Sequence, residues 1–103
     1  MAPNSEPNDR IRLRLFVAGE EPNSQTARTN LDHICQTHLA ERTDVKIEIE
    51  IVDVLQNYRK ALESRVLLTP ALLVVSADHT ARVTGTLQEP ERVLAAMGLA
   101  NRA

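Results

Sequence analysis

The side chains in this sequence that could carry chemistry are one thiol, Cys35, three histidines, His33, His38 and His79, and a cluster of hydroxyl and carboxyl groups in the turn-rich stretch 19–25. A lone cysteine cannot close an intramolecular disulfide, supply a Cys-x-x-Cys redox pair or complete a cysteine-rich zinc site. Cys35 could act alone only if a helix N-terminus or a neighbouring cation lowered its pKa. It falls instead in mid-helix beside Ile34, on an apolar stripe, where a cysteine behaves as a small inert hydrophobe. The histidines are scattered, without a carboxylate or cysteine at ligand spacing, so no metal site is expected. The stretch Gly19-Glu20-Glu21-Pro22-Asn23-Ser24-Gln25 holds no sulfur, and its two carboxylates disfavour a thiolate nearby. Ser24 remains as a hydroxyl that could activate a thiol cofactor, the chemistry of a glutathione-using enzyme.

These groups must be positioned by elements that the hydrophobic pattern outlines. Ile11, Leu13, Leu15 and Val17 alternate with Arg12, Arg14 and Phe16, a period of two that predicts a strand ending at Gly19. Ala27, Leu31, Ile34, Cys35, His38 and Leu39 recur at helical spacing, with Asn23 or Ser24 as the expected N-cap. A second strand is predicted over 45–54, alternating to Ile51 and then apolar on both faces, so that it finishes buried. Leu55, Tyr58, Leu62 and Val66 fit the inner side of a short helix, which Thr69-Pro70 ends. Ala71–Val75 suits a strand covered on both faces, followed by a turn at Asp78 and His79, a short partner strand over 82–84, and a turn at Gly85. A last helix opens at Glu89-Pro90-Glu91 and carries Val93, Leu94 and Met97 inward.

The order is therefore strand, helix, strand, helix, strand, strand, helix. A βαβ unit gives a parallel pair, the short link between the last two strands gives a hairpin, and an X-Pro bond leads into the third strand. This α/β pattern (βαβαββα) is that of a thioredoxin-like sheet, with residues 1–10 as a disordered leader and 11–100 as a single domain.

Composition narrows the function. The chain has 103 residues, a formal charge of -2, no tryptophan, and only Phe16 and Tyr58 as aromatics. Two aromatics make no base-stacking platform, so no nucleic-acid partner is expected. No apolar stretch is long enough to span a membrane and no secretory signal opens the chain, so the expected location is the cytoplasm. A chain of about 100 residues buries only a little over 60% of its unfolded surface, which favours self-association.

Several stretches together resemble the KaiB family of circadian clock proteins. They are Leu15-Phe16-Val17-Ala18-Gly19, Pro22-Asn23-Ser24 with Ala27 and Asn30-Leu31, Val52-Asp53-Val54-Leu55, Leu68-Thr69-Pro70-Ala71-Leu72, and then Arg82, Gly85, Leu87, Val93 and Leu94. The resemblance implies a regulatory protein without catalytic residues or cofactors, which binds a KaiC-type ATPase and modulates its phosphorylation and ATPase cycle, in a clock or in clock-derived stress regulation. It also implies competition with a KaiC-binding sensor kinase, a homo-oligomer (dimer or tetramer), and a switch between the thioredoxin-like fold and a resting fold that differs in the second half. Family members commonly carry a proline-rich turn before two arginines, whereas Ser76–Arg82 has no proline and keeps one arginine.

The residues expected to meet a partner are Pro22, Asn23 and Ser24 in the first loop, Arg59 and Lys60 on the second helix, and Arg82. Pro22-Asn23-Ser24 also reads as a plain turn and helix start, and the charges on 56–66 read equally as a solvated face. Asp53, Thr69, Pro70 and Gly85 are expected to shape turns, with Asp53 at a strand end and Thr69-Pro70 a candidate cis bond.

Overall fold

A computed structural model describes residues 9–40, 42, 45–66, 68–77 and 79–99. Its elements are β1 (Asp9–Val17), α1 (Pro22–Ile34) running on as a π-helical turn (Cys35–Leu39), β2 (Val45–Asp53), α2 (Tyr58–Glu63), β3 (Ala71–Val75), β4 (Thr80–Thr84) and α3 (Pro90–Ala96). The sheet has four strands in the order β2-β1-β3-β4. β1 and β2 are parallel, in a register that pairs Ile11 with Ile47 and Val17 with Asp53. β3 runs antiparallel to both β1 and β4. This is the thioredoxin-like arrangement expected from the pattern, and it extends through β3, β4 and α3. β1 begins at Asp9, ahead of the expected start at Ile11, and most of the predicted leader lies outside the described residues.

Alternation along β1 explains the two cores. Its odd positions, Ile11, Leu13, Leu15 and Val17, are buried with Ala27, Leu31 and Ile34 of α1, Leu72 and Val74 of β3, and Val93 and Met97 around α3. Its even position Phe16 points the other way and is buried with Val52 and Ala61. Full burial of one such leucine is worth about 1.5–3 kcal/mol relative to exposure, so β1 is the strand on which both layers depend.

Four expectations are corrected. β2 does not finish buried on its isoleucine face: Ile49 and Ile51 are 48% and 39% exposed, because β2 is an edge strand and no helix reaches over it there. α2 does not turn Leu55, Tyr58 and Leu62 inward; they are 72%, 65% and 68% exposed, and the six-residue helix buries only Ala61. The N-cap of α1 is Glu21, whose Oε1 accepts the Ser24 N–H at 3.0 Å, and Pro22 takes the first helical position, where its missing N–H costs nothing. The π-helical turn shifts the stripe so that Leu39 is buried and His38 is exposed.

Leu15→Ala is expected to cost about 2–5 kcal/mol, the range for emptying a leucine site in a packed core, whereas Leu62→Ala should cost less than about 0.5 kcal/mol. Urea denaturation distinguishes them; similar costs would contradict the burial of one and exposure of the other.

Candidate functional site

The loops that follow β1 and β2 meet at the carboxyl end of the sheet. Val54 N–H donates to Val17 O at 2.8 Å, extending the parallel pairing by one residue. Asp53 ends β2, half-buried, and its Oδ1 accepts both the Gly19 N–H and the Leu55 N–H at 3.0 Å. Its carbonyl accepts the Gln56 and Asn57 N–H groups. One residue thus fixes both loops from the end of β2. Gly19 has φ +57°, and a Cβ there would lie 3.1 Å from Leu55 Cδ1, so both conformation and space favour glycine.

On the first loop, Pro22 and Asn23 are exposed while Ser24 is fully buried. Ser24 Oγ accepts the Ala18 N–H at 3.0 Å and holds the chain as it leaves β1. A hydroxyl so enclosed has no room for a thiol cofactor, and the reading of Ser24 as a catalytic group finds no support. Burial and the nearby Asp32 carboxylate push the Cys35 thiol up, away from thiolate character. Among the described residues no group of three or more His, Cys, Asp or Glu side chains could hold a metal ion.

α2 lies over the opposite face of the sheet and is held there by two long side chains, its own Lys60 and Arg82 of β4. Lys60 Nζ lies 2.7 Å from Glu50 Oε2, and Arg14 Nε lies 2.9 Å from Glu50 Oε1. At the C-terminal end, Arg82 donates from Nη1 to Arg65 O at 3.0 Å and from Nη2 to Ser64 O at 2.9 Å. A cation at a helix C-terminus meets carbonyls that lack intrahelical partners and the negative end of the helix dipole. Arg65 has φ +59° there, a left-handed turn that ends the helix. The Thr69–Pro70 peptide is cis, and Pro70 O accepts the Gly85 N–H at 3.0 Å. Gly85 has φ +99° with open space around it, so its backbone conformation is what calls for glycine.

The predicted site residues therefore divide. Pro22, Asn23 and Arg59 are exposed; Lys60 and Arg82 are engaged with Glu50 and with the end of α2; Ser24, Asp53, Pro70 and Gly85 hold turns. Sequence reading missed Arg14 and Glu50, which only the parallel register places side by side. It also missed Asn30, whose Nδ2 donates to Thr86 O at 2.7 Å and ties α1 to the segment before α3.

The family model for the KaiB domain matches residues 14–99. The chain belongs to the KaiB family. Circadian clock protein KaiB3 of Synechocystis sp. is 35% identical over 86 residues, covering 84% of this chain and 80% of the relative. Circadian clock oscillator protein KaiB of Prochlorococcus marinus is 38% identical over 89 residues, covering 84% and 71%. Among solved structures, the N-terminal domain of Synechococcus elongatus SasA gives a TM-score of 0.72 at 20% identity, covering 100% of this chain and 95% of that one. A Fasciola hepatica thioredoxin gives 0.67 at 16% identity, covering 89% and 82%. At such identities these likenesses show the thioredoxin-like fold alone. In this KaiB family member, Gly19, Pro22, Asp53 and Pro70 all lie in or beside the loops just described.

Asp53→Ala leaves two backbone N–H groups without their acceptor and is expected to destabilise by about 1–3 kcal/mol, with Asp53→Asn costing less because it keeps an oxygen there. Chemical denaturation of both variants is the check, and equal costs would contradict the acceptor role.

The hydrogen bond from Lys60 holds the Glu50 carboxyl below its ordinary value, helped by the bond and charge of Arg14 and opposed by partial burial. The folded chain binds that proton less tightly than the unfolded chain, so this stabilisation is complete above the ordinary carboxylate range. It is lost as pH falls through the lowered folded value. Glu50→Gln should lower stability at neutral pH and flatten its decline in acid. Denaturation series across pH would show an unchanged acid slope if other groups set it.

Proposed function

We propose that this protein is a KaiB-type clock regulator that binds a KaiC-type ATPase and modulates its phosphorylation and ATPase cycle, with no reaction of its own. The observation that carries this reading is the apolar surface around α2. Tyr58 and Leu62 stand four residues apart on α2, with Leu55 and Leu68 in the segments that flank it, and each is at least 65% exposed. Exposed apolar groups concentrated on and around one short element mark an interaction surface. Arg59 flanks them on α2, and Pro22 and Asn23 are exposed on the loop that Asp53 ties to the start of α2. Lys60 and Arg82 contribute by holding α2 in place. Competition with a KaiC-binding sensor kinase for the same partner is part of this reading, as the family resemblance implies.

The same surface supports homo-oligomerisation to a dimer or tetramer when the ATPase is absent, and the family's fold switch would place α2 in the half that rearranges. This action is proposed for the cytoplasm. Among the described residues no helix is long and apolar enough to cross a membrane.

Size-exclusion chromatography with a KaiC-type ATPase and ATP is expected to show co-elution that Tyr58→Glu and Leu62→Glu each weaken at least about tenfold, as loss of a central apolar anchor does. Circular dichroism should remain that of the parent chain. Failure of the parent chain to co-elute with unphosphorylated and phosphorylation-mimicking partners alike would overturn the proposal.

A further inference from the structure

The face of the sheet that α2 covers at one end is bare at the other. Strand alternation places Arg10, Arg12 and Arg14 of β1, Lys46, Glu48 and Glu50 of β2, Leu73 and Val75 of β3, and Arg82 of β4 on this face. Five cations therefore stand against two carboxylates, on a chain whose formal net charge is -2. Each carboxylate is shared. Glu48 lies 3.6 Å from Arg10 and 3.5 Å from Arg12, both weak contacts, and Glu50 is divided between Arg14 and Lys60.

The open end is where the arginines of this face are held most loosely, since Arg14 and Lys60 lie within 3 Å of Glu50 and Arg82 donates to two carbonyls. The Arg10 and Arg12 side chains are 58% and 51% exposed, and Lys46 is exposed beside them. The two arginines line an open depression of about 360 Å³ with Val75, Ser76 and Ala77. A partner here must therefore offer negative charge at the arginines and an apolar group toward Val75 and Ala77. Alternate residues of a strand lie roughly 7 Å apart, so Arg10 and Arg12 match acidic side chains at alternate positions of another extended chain, whose intervening residues can include the apolar one. Aromatic groups for base stacking are missing from this open end: Phe16 is buried beneath α2 and Tyr58 lies on it.

We infer that the Arg10–Arg12–Lys46 end of the sheet is a second docking surface, distinct from α2, which takes an extended acidic segment of a partner protein. It uses charge complementarity, so it depends on salt and governs orientation and capture as much as affinity.

The test is fluorescence anisotropy with a labelled peptide that alternates glutamate with valine and alanine. In low salt the parent chain should bind it, and high salt should weaken binding. Combined Arg10→Gln and Arg12→Gln should weaken binding at least about tenfold, the loss of two charge contacts. Glu48→Gln, which frees both arginines from their shared carboxylate, should tighten it severalfold; this gain cannot come from unfolding. Arg92→Gln on α3 and Leu62→Glu on α2 should leave it unchanged, which separates this surface from the one proposed for the ATPase. Absence of binding to the parent chain and to Glu48→Gln, equal weakening by Arg92→Gln, or tighter binding of an oligothymidylate of the same charge would overturn the inference.

Discussion

β1 is the only strand of this sheet that is paired on one edge with a parallel neighbour and on the other with an antiparallel one. It must also present side chains to helices on both faces, and its residues satisfy both demands. Leu13, Leu15, Phe16 and Val17 are fully buried, so the odd positions organise the layer beneath α1 and α3 while Phe16 seeds the layer beneath α2. Toward its start the even positions are arginines, which no helix covers. The same strand thereby separates the molecule into a packed end and an open, charged end.

Where β1 runs out, backbone groups need new partners, because strand pairing has ended and the chain must turn. Ser24 and Asp53 meet that need. Each accepts a backbone N–H from the residues that follow β1, Ala18 and Gly19, and Asp53 also accepts one from its own loop. In redox members of this fold class the corresponding loop is where a thiolate works. Here it holds a cap, a proline and a buried hydroxyl; Glu21 and Ser24 bond within the loop, and Asp53 ties its backbone to the loop after β2.

The order of elements was legible because alternation and helical spacing are local signals. The strands β1 and β3, the inward set on α3 and the inert setting of Cys35 followed from them. Exposure was less legible, since a period of two says which residues share a face but not whether anything covers it. The end of β2 read as buried on both faces, and only the Val52 face is, because the edge position that leaves Ile51 exposed is a property of the whole sheet. Leu55, Tyr58 and Leu62 read as an inner stripe because a short helix over a narrow core, where Ala61 suffices, cannot be inferred from spacing. The roles of Lys60 and Arg82 were hidden for a related reason: their partners, Glu50 and the carbonyls of Ser64 and Arg65, are brought close only by tertiary structure.

Those two contacts have a further consequence. Glu50 belongs to β2 and Arg82 to β4, the two outer strands, so α2 is anchored to opposite borders of the sheet. Lys60 lies in the last turn of the helix and Ser64 and Arg65 directly follow it, so it is the C-terminal half of α2 that two long side chains hold, one from each border of the sheet, while its first turn carries no such tether.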